Sequence, residues 1–364
     1  MSTAPASPLT KEILVTKEIL ADKNSLSAIL KATIDPADDL NPHPEAWPSD
    51  GDSFYVVSHL QGKSHTFTVL FHIILLNKPR PPAKPCALLA MSVLDESVSW
   101  HSYFRKEFLS EINPKKIAVA TKGLDIRMFG DDPSDTLGYL SGTMNDLTVE
   151  GHATDDPGNG VFDIALKLKA EGPTFNYLGE GIIPFAIKSK NYEYAFPRMT
   201  TNGTLTLNGS KYDVTGSSWL DREWGDFDFV TWTWMSMELS NGLRMAVWDQ
   251  QPYDEKLNSH VKGQAFATIL DRNNALVVTP VTIEECSSWT SPDSKRKFAN
   301  SWKVTIPGKA TLEVETVMEG QEILSKPIPR LEAKCSVVGE YDGASVTGVR
   351  TFVEVGDILR PPSA

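Results

Sequence analysis

Apolar residues in this chain recur at every second position over short runs, and Gly, Pro, Asn and Asp gather between the runs. That period belongs to strands with two unlike faces. Residues 53–60 and 65–76 alternate in this way around Gln61-Gly62-Lys63-Ser64, which predicts a hairpin. Its first strand sets Tyr55, Val57 and His59 against Phe54, Val56 and Ser58. Its second sets Phe67, Val69, Phe71 and Ile73 against Thr66, Thr68, Leu70 and His72, so His59 and His72 are placed to meet across it. Further strands are predicted over 86–94, 115–121, 123–129, 137–147, 160–168, 192–199 and 204–207, with a helical turn or strand at 25–31, a proline-rich connection at 79–85 and a short helix at 102–112. Asn202-Gly203 and Asn208-Gly209 read as hairpin turns. Strands about every 8–12 residues, with turn residues between them and no sustained helical period, predict an all-β sandwich or barrel.

The densest chemistry lies at 216–225, Gly-Ser-Ser-Trp-Leu-Asp-Arg-Glu-Trp-Gly. In an extended strand, Trp219, Asp221 and Glu223 share one face, and Arg222 and Trp224 share the other. Two indoles draw their charged neighbours toward the interior, where an acid needs a base or a donor. The acids therefore either pair internally, Asp221 with Arg222 as a structural or gating pair, or line a pocket. Beyond the motif, 227–239 and 243–250 flank Asn241-Gly242. A two-residue turn there sets Glu238 opposite Met245, Ser236 opposite Val247 and Trp234 opposite Asp249, with Trp232, Trp234 and Asp249 on one face. Strands 264–270, 276–283, 302–305, 311–318, 331–338 and 345–355 complete the pattern.

With 364 residues the chain has the length of two domains, divided near the onset of the Trp-rich region as 1–213 and 214–364. A net charge of -12 argues against a nucleic-acid partner, because the long-range field repels phosphate. Cys86, Cys286 and Cys335 lie too far apart for a metal motif and read as thiols in a reducing compartment. No apolar leader and no membrane span is evident, so a cytoplasmic location is expected. Phosphate-binding glycine loops, a Gly-x-Ser-x-Gly elbow and His-Glu-x-x-His are absent from the sequence, and the seven histidines form no ligand pair close in sequence. An acid-and-indole constellation remains. A carboxyl held against indole in an apolar cavity has a raised pKa and can protonate an alkene or a leaving hydroxyl, or hold a carbonyl.

Four stretches carry a resemblance: Ser53-Phe-Tyr-Val-Val-Ser-His-Leu60 with His65-Thr-Phe-Thr-Val; Tyr192-Glu-Tyr-Ala-Phe-Pro-Arg-Met199; Gly216 to Gly225; and Tyr341-Asp-Gly-Ala-Ser-Val-Thr-Gly348. Over 53–355 their order and spacing resemble the AttH-like, carotenoid-hydratase-like family of lipocalin-related proteins. The resemblance implies two lipocalin-like β domains, an N-terminal β-sandwich and a C-terminal β-barrel, with a ligand cavity near their junction and no cofactor. It implies either a fungal pericyclase of Diels–Alder or hetero-Diels–Alder type, acting on a polyketide or terpenoid intermediate, or a hydratase of an isoprenoid alkene. A non-catalytic carrier of hydrophobic molecules is the third reading. The hydratases' proton donor falls on Asp249, while Arg222 stands where their motif has a His, which counts against addition of water and favours ring closure. Asp249, Glu223 and Asp221 are then the expected acids. Tyr55, His59, Trp219, Arg222, Trp224, Trp232, Trp234, Trp248 and Gln250 are the expected walls around a hydrophobic small-molecule substrate. No metal is expected, and a homodimer stays open.

Overall fold

The computed structural model describes residues 34–43, 51–76, 85–97, 102–111, 115–156, 158, 160–183, 191–225, 230–254, 257, 259–324 and 329–357. The segment 25–31, nearly all of the 79–85 connection and the N-terminal residues lie outside them. The described residues are nearly all β, with a single 3-10 turn at Tyr177–Gly179. They form two curled antiparallel sheets, the two lipocalin-like domains, of thirteen and eleven strands among the described residues.

The first sheet begins with the expected hairpin, Gly51–Gly62 and His65–Leu76. The motif strand, Ser210–Gly225, pairs with Gly51–Gly62 on one side and with Asn191–Leu207 on the other. The expected division at 213/214 falls inside this strand, and the change of sheet comes between Gly225 and Val230. The second sheet is centred on Val230–Leu239, Ala344–Asp357 and Arg330–Tyr341, with Arg244–Asp254 beside the first of these.

Each sheet curls around its own core. Phe54, Val56, Phe67, Val69, Leu220 and Trp224 lie in one; Met235, Met245, Val247, Val304 and Leu312 lie in the other. A third cluster joins the two domains through Tyr55, Val57, Tyr177, Trp219, Trp234, Trp248 and Phe352. Strand alternation therefore gives the central strands two buried faces, one toward their own barrel and one toward the neighbouring domain.

Several sequence expectations are corrected. Ser102–Glu111 is a strand, since it pairs along its whole length with Cys86–Asp95. The 137–147 run is two strands, Thr136–Thr143 and Asp146–Thr154, folded at residues 144–145. Asn202-Gly203 is not a turn but lies inside Asn191–Leu207, where a Cβ on Gly203 would sit 2.0 Å from the Ala165 carbonyl oxygen. There the glycine serves close strand approach. Asn208-Gly209 does turn the chain, between Leu207 and Ser210.

The Asn241-Gly242 connection has three loop residues, not two. The Gly242 N–H donates to Leu239 O and the Leu239 N–H to Leu243 O, with Gly242 at φ +84. The resulting register sets Trp234 opposite Trp248 and Thr233 opposite Asp249. This one-residue shift moves Asp249 to the opposite face from Trp234.

Candidate functional site

Register alone assembles one side of the site. Tyr55 pairs with Asp221 and with His72, Ser53 pairs with Glu223, and Glu223 pairs with Glu193. Since directly paired residues share a face, these side chains form two adjacent rows on the first sheet. Across the junction, Trp248, Trp234, Glu354 and Glu332 form a row on four consecutive strands of the second sheet.

The rows meet through hydrogen bonds. The Tyr55 hydroxyl donates to Glu332 Oε2 at 2.7 Å. Tyr177 Oη donates to Asp221 Oδ1 at 2.8 Å and accepts from Trp234 Nε1 at 3.1 Å. Trp219 Nε1 donates to the same Asp221 oxygen at 2.8 Å. Both donors thus converge on Oδ1, which leaves Oδ2 to carry a proton. Tyr177 is held by its 3-10 turn, whose Leu178 N–H donates to Thr268 Oγ1 of the second sheet at 3.2 Å.

Burial dominates the electrostatics. It pushes the Asp221 carboxyl well above the usual carboxylate range, against the two donors on Oδ1 and with help from the charge of Glu354. Glu193 is pushed up by burial and then by Glu223 and Asp221. Its Oε2 is buried without a hydrogen-bond partner, the kind of group that has a use for a proton or a guest. Burial raises Glu223 to about 8, although Asn191 Nδ2 donates to its Oε1 at 2.6 Å. Glu332 is raised by burial and by Glu354, against Arg330 at 2.7 Å and the Tyr55 hydroxyl. His72 is driven well below its ordinary value by burial, then by Arg330, and its Nε2 lies 2.9 Å from Ser53 Oγ. The ordering is that of desolvation outweighing individual hydrogen bonds.

Among the described residues, His72, Glu332 and Glu354 form the one group whose potential ligand atoms all fall within 4.8 Å of each other. Arg330 lies 2.7 Å from Glu332 and 3.6 Å from Glu354, so a guanidinium already supplies positive charge there. The donor set suits a divalent cation only if that arginine moves.

The cavity bordered by Asp221, Glu223, Glu193, Glu354, Tyr55 and Trp234 measures about 30 Å³, room for a water or two. Its walls carry four carboxyls as well as rings. The expected apolar hollow is therefore a small, acid-lined one, because the aromatic side chains pack on one another. Trp219 and Trp234 centroids lie 6.2 Å apart, Tyr55 and Trp234 5.2 Å, and Phe175 and Trp219 5.2 Å.

Of the expected site residues, Asp221, Glu223, Tyr55, Trp219, Trp234 and Trp248 gather at this junction. Gln250 shares the strand face of Trp248 and is buried, and Trp232 packs against Leu88 and Ile74 of the first sheet. The others lie elsewhere. Arg222 and Trp224 point into the first barrel, as alternation requires. Arg222 is fully buried, pairs with Asp52, stacks on Phe54 at 4.1 Å and donates to Asn41 O at 2.7 Å. The expected Asp221–Arg222 pair does not form. His59 faces the junction but is opposite Thr68, while His72 is opposite Tyr55, so the two imidazoles do not meet; His59 Nδ1 lies 3.2 Å from Thr68 Oγ1 and 3.4 Å from Lys334 Nζ. Asp249 borders a separate hollow of about 290 Å³ at the mouth of the second barrel, with Thr233, Glu285, Arg296 and Asp357. Burial raises its pKa, Glu285 adds to the rise and Lys262 opposes it.

Sequence reasoning missed Tyr177, Glu193, Glu332, Glu354 and Arg330. Acids interrupt apolar strands at Tyr192-Glu193-Tyr194, Leu331-Glu332-Ala333 and Val353-Glu354-Val355, and that interruption was the available signal.

Three solved structures share the architecture. The protein described as an AttH from Nitrosomonas europaea superposes with a TM-score of 0.67 at 17% identity, over 90% of this chain and 98% of that one. Kievitone hydratase from Nectria haematococca gives 0.64 at 19% identity, over 89% and 95%. CghA, solved with Sch210972, gives 0.51 at 12% identity, over 92% and 95%. At these identities the likeness is one of fold. No curated protein sequence matches the chain. The AttH-like family model matches residues 140–354, more than half of the chain, which takes in the motif strand and nearly all of the central strands of the second sheet; the protein belongs to the AttH-like family.

Proposed function

We propose that the junction cluster is the acid end of an enzyme site that adds water to, or removes it from, an unsaturated small molecule. The observation that carries this reading is the Asp221 carboxyl, buried between indoles with two donors on Oδ1 and its pKa held up. A protonated Oδ2 can give its proton to one alkene carbon. The C=C electron pair forms the new C–H bond, and the adjacent carbon becomes cationic. The indole faces of Trp219 and Trp234 stabilise that charge by roughly 0.5–2 kcal/mol each. Water then bonds to the cation through oxygen, and its surplus proton returns to Asp221 directly or through Glu223 or Glu193. Alkene and water give an alcohol, and the reverse sequence is a dehydration. Positioned acids of this kind contribute about 10²–10⁴ in rate. A hydratase by name, kievitone hydratase, has the same fold, which supports this direction.

A guest larger than water enters only as the lining side chains move aside, since the cavity is about 30 Å³. The reading therefore rests on the acids and not on a preformed hollow. Ring closure is the second reading, favoured by the aromatic wall of Tyr55, Trp219, Trp234 and Phe352. There the same carboxyls polarise a carbonyl instead of protonating carbon.

The test is incubation with kievitone and a panel of prenylated phenols and polyenes in ¹⁸O-labelled water, followed by mass spectrometry. Labelled alcohol is expected from at least one member, with turnover at least ~10-fold lower in Asp221→Asn. An unlabelled isomer points to cyclisation. Binding without conversion across the panel, or full turnover in Asp221→Asn, overturns the acid role.

A further inference from the structure

Three arginines from both domains converge on a second cleft along the same seam. Arg198 comes from Asn191–Leu207 of the first sheet, Arg244 from Arg244–Asp254 of the second, and Arg272 from the turn after Ala265–Leu270. Together with Glu171, Gly172, Gly242, Asp271 and Asn274 they border an open space of about 330 Å³. Arg244 shares its strand face with Trp248 but is four residues away, about 13 Å along the strand, so the cleft is distinct from the acid cavity.

The local charge balance matters here. Glu171 already receives Arg198 Nε at 3.1 Å and the Thr200 hydroxyl. The Asp271 carboxylate is taken up by the backbone N–H groups of Asn273 and Ala275, both at 2.8 Å on Oδ1. Glu238, just outside the cleft, is engaged by Arg350 and lies 3.9 Å from Arg244 Nε. Among the described residues, Glu238 at that distance is the only carboxylate within 4 Å of the Arg244 guanidinium, and Arg272 forms no ion pair. Arg244 Nε is buried without a hydrogen-bond partner. Burial lowers the Arg244 pKa; Glu238 and, less, Glu171 oppose it, and the charges of Arg198 and Arg350 add to it.

Backbone geometry leaves the space open. Gly172 and Gly242 have φ of +80 and +84, and a Cβ on Gly242 would meet Arg272 Cγ at 3.4 Å, so the Arg272 stem lies across that glycine. In a protein of net charge -12, three guanidinium groups here face two bordering carboxylates, Glu171 and Asp271, so the cleft lining carries a net positive charge. Planar guanidinium forks match carboxylate and phosphate oxygens two at a time.

We infer that this cleft is a binding site for a small oxyanion-bearing ligand, a carboxylate or a phosphate monoester, held between Arg244 and Arg272 with Arg198 at the rim. The ligand would join the two domains, since its partners come from both. The inference does not depend on the chemistry of the acid cluster.

The experiment is isothermal titration of the full chain with inorganic phosphate and, separately, with benzoate, at constant ionic strength. Saturable binding of either is expected; phosphate alone marks a phosphate ester as the natural ligand class, and benzoate alone marks a carboxylate. Arg272→Gln, at an exposed turn, and Arg244→Gln should each weaken binding roughly tenfold or more, the loss of one charge-assisted fork. Lys303→Gln removes an exposed charge on a distant strand and should leave binding unchanged. Absence of saturation with both anions overturns the site. So does unaltered binding in Arg272→Gln, or an equal loss in Lys303→Gln, which would mean diffuse electrostatics.

Discussion

Replacing Glu223 by Gln should make the protein less sensitive to alkaline pH. In the folded chain burial raises the Glu223 carboxyl from 4.5 to about 8. Between those values the unfolded chain has released its proton while the folded chain keeps it. The folded state then binds more protons, so stability falls as pH rises through this window. At about 1.4 kcal/mol per pKa unit the ceiling on that loss is about 5 kcal/mol. Glu223 keeps partial exposure and borders a cavity with room for water, which brings the expected loss to about 2–4 kcal/mol. The amide introduced by Glu223→Gln retains an oxygen to accept from Asn191 Nδ2 and cannot ionise. Urea unfolding followed by tryptophan fluorescence at about pH 5 and about pH 9 provides the measurement. Near-equal midpoints are expected at the lower pH, and a variant more stable than the parent by about 2–4 kcal/mol at the higher. Parallel pH profiles for the two proteins would refute the claim that this carboxyl is folded in its protonated form.

Other outcomes follow from the same geometry. Arg222→Met leaves Asp52 charged and buried without its partner, so a loss of about 3–5 kcal/mol in chemical denaturation is expected, with part of it restored by adding Asp52→Asn. Tyr177→Phe removes the donor to Asp221 and the acceptor of Trp234 Nε1–H, and should cost about 1–3 kcal/mol in the same assay. Gly203→Ala places a methyl against the Ala165 carbonyl, and a lowered unfolding midpoint is expected. Asp249→Asn, at the mouth of the second barrel, should leave the conversion by the junction acids within about twofold of the parent, whereas Asp221→Asn should not.

Local residue pattern was enough to establish the secondary structure class and the faces of single strands. Alternation is a local property, enforced by the pleat, so Trp219, Asp221 and Glu223 could be set on one face and Arg222 and Trp224 on the other without knowing what either face meets. The first hairpin was legible for the same reason, and the four motif stretches were enough to indicate the family. What strands do to each other was less legible. The Asn241-Gly242 turn took three residues instead of two, and one residue of register carried Asp249 away from the indoles and brought Trp248 to them. Glu193 reaches the motif strand by pairing within the first sheet, whereas Glu332 and Glu354 come from strands more than a hundred residues further along the chain, and only the packing of one sheet against the other brings them to Asp221. Their raised pKa values arise from desolvation at that contact, a quantity with no local counterpart in the sequence. Pairing partners, register and burial are long-range outcomes of folding, so the acid site itself was decided by the tertiary structure.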